Sequence, residues 1–242
     1  MGNDDRIYCY EALSLMEDAL ADGYRSRSPV PEFADQAESA RAPEARTTQG
    51  PARIPQDDSL AGIAAEAARC MACRLGAGRK RSVPGQGPAR PLVMVIGEGP
   101  GSEEDKTGLP FVGPAGQLLD KMLSSIGLSR ELNCFIGNIV KCRPPMNRDP
   151  APDEQAACRP YLDRQLALLR PKVILAVGRI PAQSLLGVKD GIGRLRGRAY
   201  EFEGRPLVAT YHPSALLRDE GLKRPAWEDL KLLRSLLDGL GA

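Results

Sequence analysis

Two hydrophobic rhythms alternate along residues 59–242. Short apolar runs at 92–96, 134–136, 172–177 and 207–210 read as buried strands. Residues 200–202 and 207–210 flank Glu203-Gly204 as a hairpin or as paired strands. Helical spacing occupies 115–126, 153–169, 180–186 and 225–240. A further helix runs through Leu60, Ile63, Ala64 and Ala67, behind a cap signal at Asp58-Ser59, and delivers Cys70. Strands alternating with helices predict an α/β fold, a three-layer αβα sandwich around a central, mostly parallel, four-stranded sheet. Ligands of such sheets bind beyond the carboxyl ends of the strands, which directs attention to the loops after Ile96, Ile136 and Thr210.

Residues 1–58 follow neither rhythm. A short amphipathic stretch with Ile7, Leu13, Leu15, Met16 and Leu20 gives way to a Pro-, Ala-, Arg-, Ser- and Gln-rich segment with almost nothing to pack, so 1–58 reads as an acidic leader and flexible linker and 59–242 as one domain. The 42% hydrophobic content over 242 residues suffices for a real core and excludes a wholly disordered chain. No apolar run approaches the roughly 18–20 residues of a membrane span, and the acidic start is unlike a signal peptide, so an intracellular, cytoplasmic protein is expected. The formal charge of +2 hides an asymmetry: 1–58 holds 6 Lys+Arg against 12 Asp+Glu, which leaves 27 against 19 in 59–242. A basic body suits an anionic partner, although basicity of this size alone barely argues for nucleic acid.

Each strand-end loop carries unusual polar residues. The first runs Gly97-Glu98-Gly99-Pro100-Gly101-Ser102-Glu103-Glu104-Asp105 and continues to Gly108-Leu109-Pro110-Phe111-Val112-Gly113. Its glycines allow close backbone approach to a ligand, but its four acids would repel a phosphate. The second loop places Asn138 just before Lys141-Cys142-Arg143-Pro144-Pro145. The third carries His212, the only histidine of the chain, in His212-Pro213-Ser214, followed by Leu216, Leu217 and Arg218.

Six cysteines in a chain expected to be intracellular point to metal or redox chemistry sooner than to disulfides. Cys70 and Cys73 form a C-x2-C pair, while Cys142 and Cys158 form a second pair with fifteen residues between them. On spacing alone four thiolates fit zinc at least as well as iron. Cys134 lies in an apolar run and reads as a small buried hydrophobe, and Cys9 falls in the leader.

Three ordered loops together with the cysteine quartet resemble the signature motifs of the iron–sulfur uracil-DNA glycosylases, family 4 of that superfamily. The matching residues are Gly97-Glu98-Gly99-Pro100-Gly101, Pro110-Phe111-Val112-Gly113-Pro114-Ala115-Gly116, Asn138 with Lys141-Cys142-Arg143-Pro144-Pro145, and His212-Pro213-Ser214, and the resemblance covers about residues 60–240. It implies a base-excision repair enzyme that releases uracil from DNA, with a structural [4Fe–4S] cluster on Cys70, Cys73, Cys142 and Cys158 and zinc as the lesser occupant. No basic, His-containing insertion of the kind found in covalently bonding relatives follows the first motif, so turnover is expected. The 76–90 connection departs from the pattern in being more polar and richer in Gly and Pro.

The chemistry implied can be set against the residues. Excising uracil requires an extruded base, a flat partner, groups that read the base edge and a donor for the leaving anion. The resemblance assigns Phe111 to stacking, with a plain core Phe as the alternative. It assigns Asn138 to O4 and N3–H, a pattern cytosine lacks. His212 would donate to O2, and Glu98 would orient water or stabilise the sugar cation unless it merely braces its loop. Gly99 and Glu104 would line the pocket, Glu104 near C5. DNA contact falls to Ser214, Leu216 and Arg218, with Arg79, Lys80, Arg81, Arg194, Arg196 and Arg198 as further cations. Leu216 and Leu217 either wedge into the vacated base position or begin a helix packed into the core. The partner is thus uracil-containing DNA, without a membrane, and nothing demands more than a monomer. A non-catalytic metal-stabilised nucleic-acid module is the runner-up.

Overall fold

The computed structural model describes residues 58–241, so the expectations for the leader lie almost entirely outside the described residues. Five strands form one sheet among the described residues: β1 Val93–Gly97, β2 Cys134–Asn138, β3 Val173–Val177, β4 Ala199–Phe202 and β5 Arg205–Thr210, in the order β2-β1-β3-β5-β4. The first four in that order run parallel, and β4 is antiparallel to β5. The fifth strand corrects the expected four. Glu203 and Gly204 both take positive φ, 49° and 74°, which is the two-residue turn that matches strand twist, and it lets residues 199–202 pair with β5 as an edge, with Phe202 buried and Ala199 and Glu201 exposed.

Nine α-helical segments accompany the sheet among the described residues: α1 Leu60–Arg69, α2 Leu75–Gly78, α3 Ser102–Thr107, α4 Pro114–Ser124, α5 Pro152–Leu169, α6 Arg179–Leu186, α7 Ile192–Leu195, α8 Pro213–Arg218 and α9 Lys223–Gly239. Local chemistry explains the starts. The Ser59 hydroxyl accepts from Gly62 N–H at 3.0 Å to cap α1, and Pro114 and Pro152 open α4 and α5, where a missing N–H costs nothing.

The period of two along each strand divides the core into two layers. Met94, Ile96, Phe135, Ile174, Ala176, Leu207 and Ala209 face α5, α6 and α7 through Leu162, Leu166, Leu169, Ala182, Leu185 and Leu195. Their neighbours Val93, Val95, Ile136, Val173, Leu175, Val177 and Val208 face α4, α8 and α9. Both sheet faces are therefore covered, the arrangement that near-continuous apolar strands require. The polar 76–90 connection is tied down rather than free: Gln86 exchanges two backbone bonds with Ile136 at 2.9 and 2.7 Å, shielding the outer edge of β2.

Register sets up the site. Gly97 pairs with Asn138 at the carboxyl ends of β1 and β2, and Val177 pairs with Thr210 at the ends of β3 and β5. The bonds continue past the strands, from Ile139 N–H to Gly97 O at 2.9 Å and from Val140 N–H to Glu98 O at 3.2 Å. The first two loops are thereby fastened to each other.

Candidate active site

Gly97 is the point on which the first two loops converge. A Cβ at this position would lie 2.4 Å from Asn138 Oδ1 and 2.6 Å from Phe111 Cζ, so only glycine lets the amide and the ring edge approach the strand end together. Phe111 is 7% exposed, and its ring centroid stands 5.7 Å from that of His212 at 33°. The structure thus brings Phe111, Asn138 and His212 to one place. Asn138 is 1% exposed, and its Oδ1 is the only buried side-chain oxygen or nitrogen without a hydrogen-bond partner among the described residues. Leaving such an acceptor unpaired costs about 1–3 kcal/mol.

His212 caps α8, and its tautomer follows from its neighbours. Ser214 N–H, which can only donate, reaches His212 Nδ1 at 3.2 Å, and the Ser214 hydroxyl stands 2.7 Å from the same nitrogen. Nδ1 therefore accepts, and Nε2 carries the proton. Burial, reinforced by Arg218 and opposed by Glu104, pulls the imidazole down to about 4, so it is a neutral donor at physiological pH. Ser214, expected at the DNA, is turned to the imidazole. Behind the ring, Gly178 at φ +107° lies where a Cβ would meet His212 Cβ at 3.2 Å.

Glu104, expected near the base, is tied to the backbone of its own loop and lies close enough for its charge to act on His212. Its Oε1 accepts from Val112 N–H at 2.8 Å and Gly113 N–H at 3.0 Å, and its Oε2 accepts from Gly101 N–H at 3.1 Å. The carboxylate folds the loop that carries Phe111. Such bracing was the alternative weighed for Glu98, whose side chain is half-buried beside the Asp149–Arg179 ion pair. Burial, with help from Asp149 and against Arg179, pushes Glu98 up to about 7. A carboxyl poised there can change protonation state near neutrality. Gly99 packs against the second loop, with a Cβ position 2.8 Å from Val140 Cγ2 and 3.5 Å from Pro144 Cδ.

The four predicted thiols line a cavity, together with Arg79, Lys141 and Tyr161. All four are free of disulfides. Three of the sulfurs receive N–H groups: Cys70 from Ala72 N–H at 3.5 Å, Cys142 from Arg79 Nη1 at 3.3 Å and Cys158 from Lys141 N–H at 3.2 Å. Burial raises the Cys142 and Cys158 thiols, and the nearby Arg79 and Lys141 cations oppose that rise. Among the described residues no three of His, Cys, Asp and Glu are set to hold a metal ion. Cys134 is fully buried, its thiol pushed up to about 12 by burial alone, as befits a core residue.

Several expected DNA contacts are committed elsewhere. Arg79 also donates to Cys70 O at 2.7 Å and Ala68 O at 2.6 Å, which makes it part of the cysteine site. Arg196 is held by the fully buried Asp229 at 2.8 and 2.9 Å and lies over Tyr211. Leu216, expected at the DNA, is 2% exposed in the core beneath α8, whereas Leu217 is 52% exposed. A helical turn after Pro213 points consecutive residues to different sides, which explains the reversal. Arg218, Lys80, Arg81, Arg194 and Arg198 remain exposed.

Two residues gain importance that sequence reasoning did not give them. Lys141 is 1% exposed, drawn down to about 8 by burial, and its Nζ donates to Asn138 O at 2.9 Å and Gln165 Oε1 at 2.7 Å. Arg130, in the turn before β2, bonds the backbone at Phe111. An exposed basic residue and a buried one look alike in sequence, so the burial and the partners of both are legible only in the structure, although Lys141 lies within the second-loop motif.

Comparison with known proteins agrees with this geometry. The family model of the uracil DNA glycosylase superfamily matches residues 84–231. The chain is 43% identical over 188 residues to the type-4 uracil-DNA glycosylase of Sulfurisphaera tokodaii, covering 74% of this chain and 85% of that protein. It is 42% identical over 187 residues to the type-4 enzyme of Archaeoglobus fulgidus, covering 74% and 94%. The type-5 uracil-DNA glycosylase of Thermus thermophilus is 34% identical over 153 residues, 55% of this chain and 69% of that protein. With a family match across most of the domain and relatives of this similarity along nearly their whole length, the chain belongs to the uracil DNA glycosylase superfamily.

Proposed function

We propose that this chain hydrolyses the N-glycosidic bond of deoxyuridine in DNA and releases free uracil. The observation that carries the reading is the buried, unpartnered Oδ1 of Asn138 beside Phe111 and His212. A buried acceptor left open calls for a ligand donor. Uracil N3–H supplies one, and the amide N–H2 of the same Asn138 donates to O4. Cytosine offers an acceptor at N3 and a donor at C4, so it would leave both polar groups unpaired, and such mismatch at a buried site discriminates strongly. The ring of Phe111 supplies the flat partner for the extruded base.

In the reaction the C1′–N1 bond breaks, its electron pair leaves with uracil as the anion, and water oxygen bonds C1′ as the water gives up a proton, the uracil anion taking one up from solvent. Charge builds on O2, where His212 Nε2–H donates. A neutral imidazole serves, because the donor needs only the proton that the Ser214 contacts place on Nε2. Ionised Glu98 faces the sugar side, where it orients the water or offsets the developing positive charge. Glu104 acts through the loop it folds, and Arg218 and Leu217 meet the DNA around the extruded nucleotide.

The thiols of Cys70, Cys73, Cys142 and Cys158 would hold a [4Fe–4S] cluster. They surround one cavity, and three of them receive N–H donors that would support thiolates; the resemblance to the iron–sulfur enzymes is what favours the cluster over zinc. When bound, such a cluster would cross-link the end of α1, the second loop and α5. The runner-up, a non-catalytic metal-stabilised module, gives no reason for the open acceptor at Asn138.

The test is incubation of the purified chain with oligonucleotides identical but for one uracil, thymine or cytosine. Free uracil and an alkali-labile abasic site from the first alone are the expected products. Intact uracil oligonucleotide at high enzyme concentration would overturn the reading.

A further inference from the structure

Phe111 sits in a backbone conformation that a bulky residue seldom takes, φ +51°. Such a conformation persists only where surrounding groups over-determine it. Two contacts do so here. Gly116 passes so close that a Cβ on it would lie 1.9 Å from Phe111 O, which closes one side of the carbonyl. On the other side, Arg130 donates through Nη2 to Phe111 O at 2.8 Å and through Nη1 to Pro110 O at 2.9 Å. The same guanidinium is anchored by Asp120, with Nε 2.9 Å and Nη2 2.8 Å from Oδ1. Arg130 is 10% exposed although it belongs to the turn between α4 and β2, nearly twenty residues from the ring it steadies.

We infer that Arg130 is a positioning residue that holds the Phe111 ring flat against the uracil, with Asp120 as its anchor. The inference rests on the stacking role proposed for Phe111. A planar fork spanning two successive carbonyls and a carboxylate fixes both the place and the direction of the 110–111 peptide. Without it the strained residue can relax towards negative φ, which swings the ring away from Gly97 and Asn138. The second and third loops are untouched by this change, so reading of the base edge by Asn138 should persist while the stacking surface is lost.

Product inhibition by free uracil isolates the effect, because uracil alone meets the base site without the DNA contacts. Arg130→Ala should weaken inhibition by uracil about tenfold, in line with the loss of one base–aromatic stack, while the preference for uracil over cytosine persists. Phe111→Ala should weaken it to the same extent, and the double variant should be no worse than either. Arg130→Lys should recover part of the loss. A structural residue without this role would lower the melting temperature, leave uracil inhibition unchanged in the folded fraction, and add to Phe111→Ala. If Arg130→Ala does not fold, Asp120→Ala, a change at a half-exposed anchor, and Arg130→Lys carry the test. Unchanged uracil inhibition in both overturns the inference. An effect of Phe111→Ala without any effect of the Arg130 and Asp120 variants removes the inference alone; no effect of Phe111→Ala removes the stacking reading with it.

Discussion

Two clusters share the second loop, through Asn138 and Cys142, and they treat their polar atoms in opposite ways. At the cysteine quartet three sulfurs already receive N–H groups, from Ala72, Arg79 and Lys141. At the strand-end cluster the buried Asn138 Oδ1 receives none, and His212, whose Nε2 carries the proton, has its ring 5.7 Å from that of Phe111. Lys141 joins the two, since its backbone N–H serves Cys158 and its side chain serves the carbonyl of Asn138. The difference separates two kinds of site. The polar groups around the thiols are satisfied by the protein itself, whereas the acceptor at the strand ends is left open for a ligand and bears the cost.

The contrast is broken most directly by removing one member from each cluster. Asn138→Ala should lower uracil release by about 10²–10³-fold or more. Because Oδ1 has no partner to lose, the same change should leave thermal stability unaltered or slightly raised. Cys158→Ala should do the reverse, costing about 3 kcal/mol or more of stability as a structural cross-link is lost, yet sparing most of the rate per folded molecule. Melting curves and single-turnover uracil release, measured on both variants, check the pair. An Asn138→Ala protein that melts well below the parent would show that the amide is structural and that the two clusters do not differ.

The sheet and its covering helices were legible because strands buried on both faces read as unbroken apolar runs, and because caps such as Ser59 announce a helix. The site loops were legible because glycine, asparagine and histidine at strand ends serve no core. What escaped was the assignment of like residues to unlike surroundings. Glu98 and Glu104 are six positions apart in one acidic loop, yet Glu104 spends both oxygens on backbone N–H groups while Glu98 lies beside an ion pair. Leu216 and Leu217 are chemically identical, and only the turn of α8 buries one and exposes the other. Arg79 and Arg196 were grouped with surface cations because their partners, Cys142 and Asp229, lie 63 and 33 residues away.

That leucine pair gives the next largest effect and sharpens where the strand-end cluster stops and the core begins. Leu216→Ala should cost 2–5 kcal/mol, as truncation of a core leucine does, roughly in line with the 2% exposure of the side chain. Leu217→Ala should change stability by less than about 0.5 kcal/mol. Its effect should fall on uracil release from duplex DNA, where the vacated position must be filled, and spare release from single strands. Equal loss on both substrates would deny Leu217 the wedge role.

The smallest effect concerns pH, which acts on the strand-end cluster through Glu98. The folded protein holds this carboxyl at about 7 against an ordinary 4.5, mainly by burial. If the ionised form does the work, uracil release should fall about tenfold per unit below pH 7 as Glu98 gains its proton, and Glu98→Gln should be slower with that limb removed. His212, at about 4, stays neutral throughout the range and contributes no limb above pH 5. Stability must move the other way. Between 4.5 and 7 the unfolded chain ionises Glu98 while the folded chain keeps it protonated, so the contribution of this group to stability is complete below 4.5 and is lost as pH rises through 7, by well under the roughly 1.4 kcal/mol per unit of an unscreened group because solvent reaches the carboxyl. Glu98→Gln escapes that loss. Its stability advantage over the parent should therefore open between pH 5 and 7 and level off above, by denaturant melts at each pH. A parallel pair of curves would mean that Glu98 is solvated like any surface carboxylate and that its place beside Asp149 and Arg179 is incidental to the reaction.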